Sequence, residues 1–193
     1  MNITDVILQQ TQSARGTVEL IVDSEHQKQV VQGAMLKART SLDIATADFK
    51  AMWVPAGASG SGSAAASIVS HLLRLTRRGV EVRLLHAGVP SAPARSELKG
   101  RSHANLTIRR CSRLHAKAVV VDAASMYLGS ANLTGAGLGA KADERRNFEW
   151  GMWTSSPPLI DAVLHQFNAL WEGQRCKDCG RRDVCPVPLE EPT

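Results

Sequence analysis

The chain has 193 residues, of which 44% are hydrophobic and 21% charged, and its formal net charge is +5. This composition is typical of a soluble globular protein with one core-forming domain, and it excludes a disordered or fibrous chain. No apolar run is long enough for a membrane span, and residues 1–12 carry an acidic residue but no basic one, unlike a secretory signal. We therefore expect a cytoplasmic protein without a membrane partner, whose basic clusters favour polyanions.

Hydrophobic periodicity divides the chain into alternating strands and helices. Pro157 and Pro158 suit the first turn of the last helix, which has the clearest apolar stripe of the chain. In chain order we predict a strand at residues 17–22, a helix at 25–39, a strand at 42–49, a Gly- and Ser-rich loop at 55–63, a helix at 65–76, a strand at 80–85, an irregular stretch with a single helical turn at 91–103, strands at 106–111, 114–121, 126–128 and 147–154, and a helix at 157–171. Such alternation predicts an α/β fold, with a mixed β-sheet flanked by helices on both faces.

One short segment contains the residue types that phosphodiester cleavage requires. It reads His115, one residue, Lys117, four residues, Asp122, and then, after six residues, the tetrapeptide GSAN at 129–132. Within the predicted strand at 114–121, side chains two apart share a face, so His115 and Lys117 would reach one phosphate. A neutral imidazole avoids the repulsion that a phosphodiester exerts on anionic nucleophiles, and it departs readily in the second half of a two-step displacement.

Each residue of this segment has an expected role. We expect His115 to be the nucleophile, while Lys117 and Asn132 stabilise the non-bridging oxygens of the phosphate in the transition state. Ser130 would add a hydroxyl donor, and Gly129 would let the backbone approach the phosphate closely. Asp122 has the opposite strand parity to His115, which indicates a structural role in the turn that follows.

The segment resembles the HKD motif of the phospholipase D superfamily, and both halves of that motif are complete. The resemblance implies the phospholipase D-like fold, a covalent phosphohistidine intermediate and no metal in catalysis. Further along, Asn147 and Glu149 are two apart on a predicted strand, similar to the place where single-motif nucleases of the superfamily keep a carboxylate behind the nucleophile. Glu149 would then hold the second ring nitrogen of His115 and set its tautomer.

The chain contains the motif only once, whereas members of the superfamily generally use two histidines. None of the other five histidines has a lysine two residues later. The resemblance therefore implies a two-fold homodimer that places two copies of His115 against each other, with a bell-shaped pH profile that belongs to the coupled pair. Small phosphodiesterases of this type also occur in bacterial defence systems against phage, which suggests unknown defence proteins as partners.

Three of the four cysteines lie near the C-terminus, as Cys176, Cys179 and Cys185. We divide the chain into a phosphodiesterase domain at 1–173 and a Cys-rich tail at 174–193. The spacing is common in structural zinc sites and iron–sulfur clusters, and it resembles the terminal cysteine group of iron–sulfur nucleases of the RecB family. Cys111 is the candidate for a fourth ligand of zinc or of a [4Fe-4S] cluster, and free thiols are the alternative.

Three functions are open at this point. The first is a nuclease that cleaves DNA or RNA, the second a phospholipid phosphodiesterase, and the third a catalytically idle nucleic-acid-binding module on the same fold. The sequence favours the nuclease, because it shows no amphipathic membrane helix and retains every residue that the chemistry needs.

Overall fold

The computed structural model describes residues 16–54, 65–99 and 103–185, which form a seven-stranded mixed sheet and a separate two-stranded ladder. The strands are β1 (Val18–Val22), β2 (Ser41–Thr46), β3 (Trp53–Val54), β4 (Ala66–Ser67), β5 (Glu81–His86), β6 (Leu106–Arg110), β7 (Ala118–Val121), β8 (Ser125–Gly129) and β9 (Trp150–Thr154). The large sheet has the order β1, β9, β8, β7, β2, β5, β6, with β2, β5 and β6 parallel and the other neighbours antiparallel. The loop predicted at 55–63 lies outside the described residues.

Helices cover both faces of this sheet. In chain order they are a π-helix (His26–Ala34), α1 (Ile68–Arg77), α2 (Ala92–Leu98) and α3 (Pro157–Trp171), with short 3₁₀ turns at Met35–Lys37, Asp143–Arg145 and Arg182–Val184. Val30 of the π-helix and Leu72 of α1 belong to the main core on one face, whereas Ile160 and Phe167 of α3 belong to two smaller clusters on the other face. The expected fold class, a mixed sheet with helices on both faces, is confirmed.

Neighbouring residues of the central strands point to opposite layers. Leu84 packs in the main core and Leu85 under α3, and Val119 and Val120 alternate in the same way. Because these strands are buried on both faces, they read as continuous apolar runs rather than as alternating ones. Each fully buried side chain of this size contributes about 1.5–3 kcal/mol to folding.

Several predicted elements differ from the observed ones. The strand predicted at 114–121 begins only at Ala118, the first residue of this segment with a ladder partner in β2. The stretch predicted to be irregular contains α2, because Pro93 lies in the first turn, where a proline is tolerated. The strand predicted from residue 147 begins at Trp150, since Asn147 and Glu149 make loop contacts instead.

No helix among the described residues has the length and the apolar character that crossing a membrane requires.

Candidate active site

Four neighbouring strands bring the predicted site residues to one edge of the sheet. β7 begins directly after Lys117, Asn132 follows β8, and β9 begins directly after Glu149. Because β7 is antiparallel to β2 and β8, and β8 is antiparallel to β9, these strand ends meet beside the C-terminal end of β2. The loops that carry His115, Lys117, Asn132 and Glu149 therefore lie at the same edge.

The ammonium group of Lys117 lies against the imidazole of His115. Lys117 Nζ is 3.2 Å from both Nδ1 and Nε2 of His115, and it donates a hydrogen bond to the His115 carbonyl oxygen at 2.8 Å. His115 is exposed, whereas only 8% of Lys117 is exposed. Burial lowers the pKa of Lys117, while the negative charge of Glu149 acts to raise it. The pair thus combines an accessible ring nitrogen with a cation held in place beside it.

Glu149 is a buried carboxylate held by other polar groups of the site. Its Oε2 accepts a hydrogen bond from Ser130 Oγ at 2.5 Å, and its Oε1 accepts one from Asn147 Nδ2 at 3.0 Å. Two sequence expectations differ from this arrangement. Within the described residues no hydrogen bond joins Glu149 to His115, and the Ser130 hydroxyl, expected to serve as a donor to substrate, donates to Glu149.

The carboxamide of Asn132 is oriented through its oxygen. Asn132 Oδ1 accepts hydrogen bonds from the backbone N–H groups of Ala47 and Asp48, both at 3.0 Å, and contacts Thr46 Oγ1 at 3.3 Å. These contacts occupy the acceptor, so the amide Nδ2 hydrogens are available as donors. The Asn132 amide is the group expected from the sequence to face the phosphate.

Gly129 has a packing reason to be a glycine, in addition to the close approach to the phosphate expected from the sequence. A Cβ atom at this position would lie 2.5 Å from Tyr127 Oη and 2.6 Å from the Gly151 Cα across the strand pair. The buried Tyr127 hydroxyl accepts a hydrogen bond from the Ala131 N–H at 2.8 Å, directly before Asn132. Gly129 therefore makes room for a tyrosine that positions the GSAN segment.

Asp122 anchors the turn between β7 and β8 to the start of β2. Its carboxylate accepts hydrogen bonds from the backbone N–H groups of Arg39, Thr40 and Ser41 and from the Thr40 hydroxyl, at 2.8–3.1 Å. Burial acts to raise the pKa of Asp122, but these hydrogen bonds together lower it below the ordinary value. All of these partners belong to the protein backbone or to Thr40, so the contacts are structural ones.

A groove with a volume of about 390 Å³ adjoins Asn132 and Asn147. Its lining also includes Lys50, Trp53 and Lys141, and the Trp53 side chain is 65% exposed. Lys50 forms an ion pair with Asp48 at 2.8 Å. The groove thus contains Lys141, the ion pair of Lys50 with Asp48, and an exposed aromatic ring next to Asn132 and Asn147.

Three of the four cysteines lie beside His115. Cys111, Cys176 and Cys179 line a cavity of about 240 Å³ to which His115 also contributes. Burial raises the pKa of Cys176, and the nearby thiols of Cys111, Cys185 and Cys179 raise it further. Within the residues that the structure describes, no three His, Cys, Asp or Glu side chains are arranged so that they could hold a metal ion.

Two residues with a role in building the site were not predicted. Asp23, at a positive φ of 44°, accepts a hydrogen bond from the Glu149 N–H at 3.1 Å and donates its own N–H to the Glu149 carbonyl at 3.0 Å. Thr46 Oγ1 accepts from the Leu133 N–H at 2.9 Å and donates to the Asp48 carbonyl at 2.7 Å. The sequence signal for Asp23 was an aspartate directly after the strand β1. The signal for Thr46 was a hydroxyl residue at the end of the apolar strand β2.

Sequence comparison identifies one matching family. The family model described as "Cardiolipin synthase, PLD-like domain" matches residues 31–171, a segment that contains the whole motif and Glu149. No curated protein sequence matches the chain.

Solved structures share the fold. The phospholipase D family member Nuc from Salmonella typhimurium aligns with a TM-score of 0.61 and 20% identity over 82% of this chain and 95% of that one. NucT from Helicobacter pylori aligns with a TM-score of 0.60 and 15% identity over 82% and 97% of the two chains. The phosphatidylserine synthase of Haemophilus influenzae Rd KW20 aligns with a TM-score of 0.53 and 14% identity over 80% and 38%.

Proposed function

The chain belongs to the phospholipase D-like domain family, and we propose that it is a metal-independent phosphodiesterase that cleaves nucleic acid with His115 as its nucleophile. The observation that supports this most directly is the exposed imidazole of His115 against the buried ammonium of Lys117. The oriented amide of Asn132 lies at the same edge of the sheet. Together these groups supply a nucleophile and fixed donors for the charge on the phosphate.

The proposed reaction has two displacements. In the first, a ring nitrogen of His115 attacks phosphorus, the bond from phosphorus to the leaving oxygen breaks, and a protonated histidine gives that oxygen its proton. In the second, the same histidine, now neutral, takes a proton from water, whose oxygen attacks phosphorus as the bond to His115 breaks. Lys117 and Asn132 hold the non-bridging oxygens in both steps.

The groove beside Asn132 favours nucleic acid as the substrate. Lys141 can neutralise a phosphate that flanks the cleaved one, and the exposed ring of Trp53 offers a surface on which a base can stack. Stacking on an aromatic ring contributes about 1–3 kcal/mol per base and tolerates any sequence.

The second histidine is proposed to come from a second copy of the chain. Beside Glu149 the structure exposes the β1–β9 apolar stripe, defined as Val18, Leu20, Val22 and Trp150, whose side chains share one face of the two paired strands. Leu20 is 76% exposed and Trp150 is 71% exposed. Contiguous exposed apolar side chains of this size are typical of protein interfaces. A homodimer through this stripe would place a second site next to the first.

Cleavage assays with plasmid and single-stranded DNA in excess EDTA test the proposed activity. We expect the wild-type protein to cut DNA, and His115→Ala to reduce the rate by about a thousand-fold or more. The matched control is His165→Ala, which removes an exposed histidine on α3 and should retain the wild-type rate.

Equal cleavage by wild type and His115→Ala would contradict the proposed nucleophile. Loss of wild-type cleavage in EDTA would contradict the metal-independent mechanism. Faster release of head groups from phospholipid vesicles than cleavage of any nucleic acid would assign the site to lipids instead.

A further inference from the structure

Two clefts flank the proposed reaction centre, one on each face of the sheet. The groove at Asn132 includes Met52, which belongs to the main core on the face covered by α1. The cavity of about 240 Å³ at His115 includes Leu170 of α3, which packs on the other face. His115 and Asn132, which are proposed to bind the cleaved phosphate, thus each line one of the two clefts. A nucleic acid strand bound by both residues would continue into both clefts.

Two arginines line the cavity together with His115. Arg113 belongs to the same loop as His115, is exposed, and contacts the Cys179 thiol. Arg175 follows the end of α3, and its Nη2 donates a hydrogen bond to the Gln166 carboxamide oxygen at 2.6 Å. In the part of the chain that the structure describes, neither guanidinium pairs with a carboxylate. Both positive charges are therefore available to an anion that enters the cavity.

The remaining wall of the cavity favours an anion as its occupant. Leu114, Ala116 and Leu170 supply apolar surface beside the two arginines, and no Asp or Glu of the described residues lines the cavity. A cleft that combines apolar walls with charges of one sign focuses the electric field and concentrates the opposite charge. The cavity therefore suits an anionic group better than a neutral or cationic one.

Arg175 belongs to the tail at residues 174–185, which contacts the loop of His115. Arg181 Nη1 of this tail donates a hydrogen bond to the Ser112 carbonyl oxygen of the loop at 3.1 Å. The family match ends at residue 171, so Arg175 lies outside the segment that the family model covers. The tail thus adds a positive charge beside the nucleophile that the family match does not account for.

We propose that the cavity beside His115 is a phosphate subsite, in which Arg113 and Arg175 bind the phosphate next to the cleaved one in a nucleic acid strand. This inference rests on the proposed function and adds a binding site on the side of His115 that faces the tail. Arginine suits this role because its planar guanidinium donates two parallel hydrogen bonds to one phosphate. Together with Lys141 in the groove at Asn132, the subsite gives the strand a cation on either side of the cleaved bond.

Salt-dependent binding of a short single-stranded oligonucleotide tests the subsite. The anisotropy titrations use a fluorescent oligonucleotide and the full chain with His115→Ala, so that the probe stays intact. We expect Arg175→Gln to weaken binding about five- to ten-fold at 50 mM salt and to reduce the slope of log Kd against log salt by about 0.7, the value for one lost phosphate contact. Arg175→Lys keeps the charge and should retain most of the slope.

The matched control is Arg77→Gln, which removes an exposed arginine from α1, on the opposite face of the sheet from the tail. Its affinity and its slope should equal those of the parent, whereas Arg113→Gln should behave like Arg175→Gln. If Arg113→Gln and Arg175→Gln both bind as the control does, the subsite is overturned. A parent protein that does not bind the oligonucleotide would overturn it as well.

Cleavage by chains that retain His115 separates this inference from the proposed function. Arg175→Gln should raise KM for the oligonucleotide, while its rate on bis(p-nitrophenyl) phosphate, which has no neighbouring phosphate, should stay at the wild-type value. Arginine-dependent binding without any cleavage would support the subsite and contradict the nuclease. Cleavage in which Arg175→Gln and Arg77→Gln have the same KM would overturn the subsite and leave the nuclease standing.

Discussion

Lys117 and Glu149 are buried charges whose hydrogen bonds hold them in place. A buried charge is costly unless it has partners, and here Ser130 and Asn147 hold the carboxylate while the His115 carbonyl accepts from the ammonium. Groups that are already ordered need little reorganisation when charge moves in a reaction. The arrangement therefore presents a phosphate with a cation whose position is set before substrate arrives.

Asp122 gives a prediction at the scale of a single residue. We expect Asp122→Asn to lower the free energy of unfolding at pH 7 by about 1–2 kcal/mol, because the amide keeps the shape but loses the charge that the hydrogen bonds favour. Asparagine also tolerates the positive φ of 54° at this position.

The pH dependence of this effect follows from the lowered pKa of Asp122. A carboxyl whose folded-state pKa is lowered stabilises the protein above its unfolded pKa of about 3.9, and this stabilisation is lost as the pH falls through the folded-state value. Denaturant titrations should therefore show a difference between wild type and variant that is full at pH 7 and shrinks below about pH 4. Equal stabilities at pH 7 would contradict the anchoring role.

At the scale of elements, two arginines dock α3 on the sheet. The Arg83 guanidinium lies 5.0 Å from the ring centre of Phe167 and pairs with the buried Asp43 of β2 at 2.5 Å. Arg109 lies 4.7 Å from the ring centre of Trp171 and donates to the Trp171 carbonyl at 2.5 Å. Arg83 and Arg109 are thus engaged within the fold and are not available to a polyanion.

Breaking the ion pair between Arg83 and Asp43 should lower the stability of the fold measurably. Arg83→Met should lower the free energy of unfolding by about 3–5 kcal/mol, because it leaves the carboxylate of Asp43 buried without its partner. The double variant Asp43→Leu with Arg83→Met should recover most of this loss in urea denaturation. A double variant whose loss equals or exceeds the sum of the two single losses would argue against the pair.

At the scale of the whole molecule, the site has one motif, and the β1–β9 apolar stripe offers a surface for a second copy. Leu20→Glu should shift the protein from a dimer, twice 20.8 kDa, to the monomer mass in light scattering, and should abolish most cleavage at micromolar concentration. Val89→Glu is the matched control, since Val89 is 60% exposed and follows β5 near the opposite edge of the sheet. A fully active wild-type monomer would contradict the dimer.

The sequence predicts this molecule best where the information is local. Strand and helix order follows from hydrophobic periodicity. His115 and Lys117 lie side by side, as their spacing suggested, although they are in a loop and not in the predicted strand. Contacts between residues far apart in the sequence could not be predicted from local patterns. Nothing in the local pattern links Asp23 to Glu149, which lie 126 positions apart, and the hydrogen bonding of Glu149 follows from strand packing rather than from spacing.

In the proposed mechanism His115 forms a covalent bond to the substrate phosphorus, and this bond can be observed directly. Protein is mixed with a short oligonucleotide in EDTA, quenched in alkaline denaturant within the first turnover, and its intact mass is measured. We predict a single adduct with the mass of one cleaved fragment of the oligonucleotide, and peptide mapping should place it on His115. The adduct should be present in His165→Ala and absent in His115→Ala. Rapid cleavage without any adduct, at a rate that His115→Ala leaves unchanged, would contradict the proposed nucleophile.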